Sequence, residues 1–295
     1  MYLTEFKRII KKDQGGGQMK KIIFFSSIII FGLLTGCGSK EKKSAQKAQN
    51  SKPAVNSNYI LPEEKNKSGK VKIQTVAEYK MNVLYNSYII SSVKGENVVV
   101  DPFMMPTLDV IDLKPAAIMS THTHYDHVDG SYTAEYEGTD TKLFSQEVTE
   151  CKTKDFNIYS IASAHDTDII TPNPSNVIIV MEVDGLRIAH FGDCGQTKFT
   201  DEQLAKIGKI DIAFMQFDNP SYSSMNFTNK KGFNLLAQIN PKIIIPTHYY
   251  EDDVKYLEEL YGSVKNVDNK LEITKDELPA KTTPYIISNT HTYTE

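Results

Sequence analysis

The sequence predicts an α/β fold with helices packed outside β-sheets, on three observations. Two apolar runs flank a glycine-bearing turn at Gly95, and two more flank Asp184-Gly185. Later apolar runs then alternate with amphipathic helical segments, a pattern of layered sheets and helices and not of an all-β sandwich.

Taken in order, the chain opens on residues that belong to no folded core. From Met19 it reads MKKIIFFSSIIIFGLLTGCGSK: two lysines, an apolar stretch from Ile22 to Leu34, then small residues before Cys37. That layout is a signal peptide, and 13 apolar residues fall short of the roughly 20 that span a bilayer as a helix. The tetrad Leu34-Thr35-Gly36-Cys37 resembles the lipobox of bacterial lipoproteins, and the resemblance implies cleavage before Cys37 and lipidation of its thiol. The charged residues 1–18, with Gly15-Gly16-Gly17 ahead of Met-Lys-Lys, read as a spurious extension, with translation expected from Met19. Residues 1–36 are thus expected to be extension plus signal peptide, 37–58 a polar, lipidated tether, and 59–295 one folded domain.

Charge narrows the partners. Residues 1–36 hold six Lys or Arg and two acids, so the remainder carries 27 basic against 35 acidic groups. An acidic balance with no basic run in the folded part argues against nucleic acid. The expected partners are a small-molecule substrate and a membrane reached through the lipid anchor. The oligomeric state is open. Cys151 and Cys194 are too few for a disulfide framework and read as unpaired thiols.

In the folded part, YIISSV and NVVVDP flank Lys94-Gly95-Glu96-Asn97 as a first hairpin. NVIIVMEV and LRIAHFGD flank Asp184-Gly185 as a second, the dipeptide supplying the positive φ of a two-residue turn. The runs AAIMST, DIAFMQ and KIIIPT read as further strands, each ending at polar or ligand-type residues. Thr200 reads as the N-cap of the helix DEQLAKIG, and KKGFNLLAQIN as a second helix.

The chemistry concentrates in HTHYDH, that is His122, His124, Asp126 and His127, directly after AAIMST. Neutral imidazole nitrogens and a carboxylate suit zinc and similar divalent ions, and four of them within six positions on one loop can wrap a metal pair. HTHYDH resembles the H-x-H-x-D-H signature of the metallo-β-lactamase superfamily. The further motif residues of that superfamily follow in order as His165 in SAHDTD, Asp193 in HFGDCG and His248 in IPTHYY.

The resemblance implies a metallo-β-lactamase αββα sandwich, two mixed β-sheets with outer helices. It also implies two divalent ions, zinc by default with manganese or iron admissible. His122, His124 and His165 would hold one ion, Asp126, His127 and His248 the other, and Asp193 would bridge. Asp126 and Asp193 are the implied catalytic residues: a water between two cations yields hydroxide near neutral pH, and Asp126 would orient it.

Asp101 in VVVDPF matches the acid that ends the superfamily's first hairpin and would brace the metal-binding loop. The form Asp101-Pro102-Phe103 is similar to the branch containing ascorbate-6-phosphate lactonase. His190 is either a bracing partner of the ligands or a packed strand residue. Cys194, where a threonine is common, is a ligand or an inert thiol. Asn219, Tyr222 and Met225, in the aromatic and amide-rich stretch 216–229, are candidates to line a pocket, as is Tyr125 on the histidine loop. His291 lies outside every motif.

The expected function is a dinuclear metal-dependent hydrolase acting outside the cytoplasm on an ester, lactone, amide or phosphodiester. Within the superfamily a drug-hydrolysing lactamase fits less well, since those branches commonly depart from this ligand pattern. A nuclease fits less well for want of a basic channel. From another class, a lipoprotein that captures a metal or ligand without turnover is the alternative, and turnover of a generic ester or phosphodiester separates the two.

Overall fold

A computed structural model describes residues 66, 68–75, 87–105, 113–219 and 224–287. The expected leader, Cys37, the tether, Tyr222 and His291 lie outside these residues. Strand β1 (Val71–Gln74) leads to the first hairpin, β2 (Tyr88–Ser91) and β3 (Asn97–Val100), followed by β4 (Ala117–Ser120), α1 (Gly130–Ala134) and β5 (Lys142–Ser145). Then come β6 (Glu150–Lys152), β7 (Phe156–Ser163) and the second hairpin, β8 (Asn176–Val183) and β9 (Leu186–His190). The chain continues as α2 (Asp201–Ile207), β10 (Ile212–Gln216), α3 (Lys231–Ile239), β11 (Ile243–Thr247), α4 (Val254–Tyr261), β12 (Lys265–Val267), β13 (Lys270–Ile273) and β14 (Thr283–Ile287).

Two mixed sheets result, as expected. The first runs β13-β1-β2-β3-β4-β5, antiparallel up to β3 and parallel from β3 to β5. The second runs β12-β14-β11-β10-β9-β8-β7-β6, parallel from β12 to β9 and antiparallel beyond.

The central strands are apolar on both faces because both faces are covered. Val98, Val100, Ala117 and Met119 of the first sheet share one buried layer with Val177, Ile179, Ile188, Phe214 and Ile245 of the second. The alternate residues Ile178, Val180, Ala213, Met215 and Ile244 pack against Ile207, Leu235, Leu236 and Leu257 of α2, α3 and α4. On the other side Ile89, Val99 and Ile118 meet Tyr132 and Tyr136. Each large apolar side chain so buried stabilises the fold by about 1.5–3 kcal/mol.

Local chemistry sets the connections. Asp184 and Gly185 take φ of 46° and 81°, the double positive φ of the tight second hairpin. The first hairpin turns over Ser92–Glu96, and Asn97, read both as the end of the turn and as the first residue of NVVVDP, opens β3: its side chain accepts from the Ser91 hydroxyl across the ladder. Thr200 caps α2 by accepting from the Gln203 N–H, and the Gln203 side-chain oxygen accepts in turn from the Thr200 N–H.

Candidate metal centre

Five strands deliver the motif residues from their C-terminal ends. Asp101 follows β3, Thr121 and His122 follow β4, His165 follows β7, Asp193 follows β9, and His248 follows β11. Functional residues on short loops at strand ends inherit the rigidity of the sheets. The HTHYDH loop is fixed by a turn in which the N–H groups of His127 and Val128 both donate to the His124 carbonyl. Asp129 then caps α1 by accepting from the Ser131 and Tyr132 N–H groups.

All seven residues expected to bind metal come together. Ligand atoms of His122, His124, His165 and Asp193 form one group, and those of Asp126, His127 and His248 another, with atoms within 4.8 Å of one another in each. Asp193 faces both. Its Oδ2 lies 3.3 Å from His165 Nε2 and 3.7 Å from His122 Nε2, while its Oδ1 lies 3.1 Å from His248 Nε2 and 3.2 Å from His127 Nε2. Asp126 Oδ2 stands 3.7 Å from His248 Nε2 and 3.8 Å from His127 Nε2.

This donor set fits metal. His122 Nε2 is buried with no hydrogen-bond partner, a costly state for a polar atom unless a cation takes its lone pair. His127 Nε2 and His248 Nε2 lie 3.1 Å apart, so a proton or a cation must sit between two lone pairs. His122 and His127 are fully buried whereas His124 and Tyr125 are exposed, which puts the open side of the centre at His124.

Electrostatics without metal point the same way. Burial pushes the His122 imidazole down, reinforced by His127, so it stays neutral and ready to ligate. Burial opposes charge on His127 too, but Asp193 and Asp101 outweigh it and raise His127 well above the usual histidine range. Asp193 is depressed well below the usual carboxylate range: burial works against this, but His248 and His127 prevail.

Asp101 is tied to the histidine loop by hydrogen bonds. Wholly buried, it accepts from the Thr121 N–H at 2.6 Å and hydroxyl at 2.8 Å, and from His127 Nδ1 at 2.7 Å. That last bond holds the His127 ring so that Nε2 is the nitrogen turned toward Asp193 and the centre. His190 is packed in the core, where it stacks on Phe214, and its Nδ1 accepts from the Gly192 N–H at 3.1 Å, with Asp101 Oδ2 3.5 Å away.

The ligand alternative for Cys194 fails on position. Its thiol turns into the helix-side core toward Gln196 at 3.7 Å, outside both donor groups, and burial pushes it up to about 12. Cys151 and Cys194 are unpaired, as read. Of the 216–229 candidates, Asn219 reaches the centre, donating to Asp193 Oδ2 at 2.7 Å, and Met225 is buried in the core.

Three holders carry little or no mark in the sequence. Thr121 ties Asp101 to the loop. Asn176 accepts from the Asp193 N–H at 3.1 Å and donates to Phe191 and Ser163. Gln146 accepts from the Thr123 N–H and hydroxyl and donates to the Pro174 carbonyl, joining the two histidine-bearing loops. Asn176 alone offered a clue, as a polar residue heading a buried apolar run.

Comparisons with known proteins agree with this geometry. A UPF0173 metal-dependent hydrolase of Staphylococcus carnosus (strain TM300) is 24% identical over 227 residues, covering 66% of this chain and 94% of the relative. A protein described as a Zn-dependent hydrolase of the metallo-β-lactamase superfamily, from Thermotoga maritima, superposes with a TM-score of 0.53 at 20% identity, covering 74% of this chain and all of its own. A metallo hydrolase of the archaeon Ignicoccus hospitalis superposes with a TM-score of 0.50 at 14% identity over 69% and 97% of the two chains. These structures share the fold. The family described as the β-lactamase superfamily domain matches residues 82–248, more than half of the chain and the stretch from before Asp101 to His248, and the chain belongs to the metallo-β-lactamase superfamily.

Proposed function

We propose that this metal-dependent hydrolase is dinuclear and cleaves an ester, lactone, amide or phosphodiester bond in a small-molecule substrate. The observation that carries the reading is the Asp193 carboxylate, whose two oxygens face two separate donor groups. His122, His124 and His165 would hold one ion and Asp126, His127 and His248 the other, with zinc favoured by the nitrogen-rich set. Two such ions, when bound, supply a nucleophile near neutral pH and polarise the bond to be cleaved. The chain's own contribution is to orient. Asp126 faces the His127 and His248 nitrogens and would accept the proton of the attacking water, while the exposed His124 side admits substrate.

Asp101-Pro102-Phe103 supports placement near the branch that includes ascorbate-6-phosphate lactonase. The lipobox-like Leu34–Cys37 supports export and a membrane anchor at Cys37. Among the described residues no helix is long and apolar enough to cross a membrane.

The test is metal stoichiometry of the purified full-length protein, prepared without chelator in mild detergent, beside Asp193→Ala, with both screened on ester, lactone, β-lactam and phosphodiester panels. Two metal equivalents and turnover that disappears in Asp193→Ala support the proposal and identify the bond. A protein that takes up no metal and turns nothing over would sink it and favour ligand capture without catalysis.

A further inference from the structure

We propose that Asn219 is the positioning residue that fixes the Asp193 carboxylate between its two donor groups, an inference resting on the dinuclear reading above. Asn219 Nδ2 donates to Asp193 Oδ2 at 2.7 Å and to Gln216 Oε1 at 3.1 Å. The amide nitrogen is therefore committed on two sides, and a flip would set the amide oxygen against two acceptors.

The residue is not on a loose loop. Asn219 is buried, and its backbone forms a two-way bridge with Met225: the Asn219 N–H donates to the Met225 carbonyl at 2.9 Å and the Met225 N–H returns at 3.4 Å. Met225 is itself fully buried against α3, where a Cβ on Gly232 would lie 3.4 Å from its sulfur.

This bond selects one rotation of the carboxylate. With Oδ2 held by Asn219, that oxygen faces His122 and His165 while Oδ1 is left for His127 and His248. The bond also takes up one lone pair of Oδ2, leaving the other for the three-histidine group. A neutral amide suits the position because it orients the anion without adding charge. A lysine or arginine there would repel the cations, and an acid would repel Asp193. Asn176 completes the arrangement by holding the Asp193 backbone N–H, so an asparagine opening β8 and another just past β10 grip the bridging residue at both ends.

Zinc titration calorimetry and cobalt(II) absorption on the full-length protein, Asn219→Ala and Asn219→Leu test the inference. Leu fills the site with a γ-branched side chain of the same reach but without hydrogen bonds, so a fold lost to a cavity in the Ala variant leaves the second variant to be read. The wild type should take two equivalents. In the variants the weaker equivalent should bind 10- to 100-fold less tightly, the scale seen when the partner of a ligand is removed. The cobalt d–d band should also change, because Asp193 no longer presents a fixed oxygen to each ion. A merely structural Asn219 would lower the unfolding midpoint in chelator and leave the cobalt spectrum alone. Affinity within twofold and an unchanged cobalt spectrum in a folded variant overturn the role of Asn219. A wild type that binds a single equivalent overturns the dinuclear reading itself, and this inference with it.

Discussion

Gly192, one residue before Asp193, separates two costs that are usually confounded. Its φ of 53° lies in the left-handed region, where an L side chain costs about 1–2 kcal/mol. In addition, a Cβ there would stand 2.4 Å from Thr121 Oγ1, 2.5 Å from Thr121 Cβ and 2.6 Å from Asn176 Oδ1. Ordinary contact is about 3.5–4.0 Å, so a neighbour must yield by roughly 1 Å. Neither can yield freely: Thr121 is bonded twice to Asp101, and Asn176 to Asp193, Phe191 and Ser163. Overpacking of this kind costs about 1–3 kcal/mol, so Gly192→Ala should lose about 2–5 kcal/mol in all. Gly138→Ala is the control, since φ there is 75° and nothing lies within 4 Å, leaving the backbone cost alone. Urea unfolding of both variants in excess chelator removes any metal contribution. Equal losses for the two, within about 0.5 kcal/mol, would refute the overlap argument.

Three further outcomes are expected. Asp101→Asn keeps the shape and tolerates the φ of 49°, but an amide N–H turned toward His127 Nδ1 forces that ring's proton onto the metal-facing nitrogen. Metal affinity should fall 10- to 100-fold by calorimetry, and retention within twofold would remove Asp101 from the site. Because metal-free His127 is raised above the usual histidine range, it carries a proton near pH 7 that metal must displace. Loading should therefore release protons and tighten as pH rises toward the metal-free pKa, visible as buffer-dependent heats; heats independent of buffer would contradict this. Cys194, pushed up to about 12 by burial, should be alkylated at pH 8 roughly a thousandfold more slowly than an ordinary thiol until the protein is unfolded, read by peptide mass mapping. Rapid labelling in the folded state would place it at the surface.

The two central hairpins and the strands feeding the site were legible because each is a fully buried apolar run closed by a turn or a ligand, a contrast visible residue by residue. The C-terminal part was not. Lys265–Val267 and Lys270–Ile273 are short, mixed in polarity and only partly buried, and α4 has Leu257 as its one fully buried residue. Lys142–Ser145 at a sheet edge is largely exposed and shows no alternation that a core would impose. Such elements are held by their neighbours more than by their own pattern.

The same division runs through the site. A metal-binding residue must be His, Asp or a like donor, so its type announces it, and HTHYDH announces four at once. Its holder has only to offer one hydrogen bond of the right polarity from the right place, which Thr, Asn or Gln can do. Thr121 reaches back to Asp101 from 20 residues away, Asn176 forward to Asp193 over 17, and Asn219 back to Asp193 over 26. These separations share no period, because adjacent strand ends set them. The holders also explain how Asp101 and His248 persist at φ of 49° and 44°, left-handed values that cost a side chain about 1–2 kcal/mol each. Asp101 is bound by three buried hydrogen bonds, and the His248 carbonyl accepts from the Asp218 N–H at 2.7 Å. The strained strand ends are therefore imposed by the two-sheet scaffold, which presents the donors already aimed.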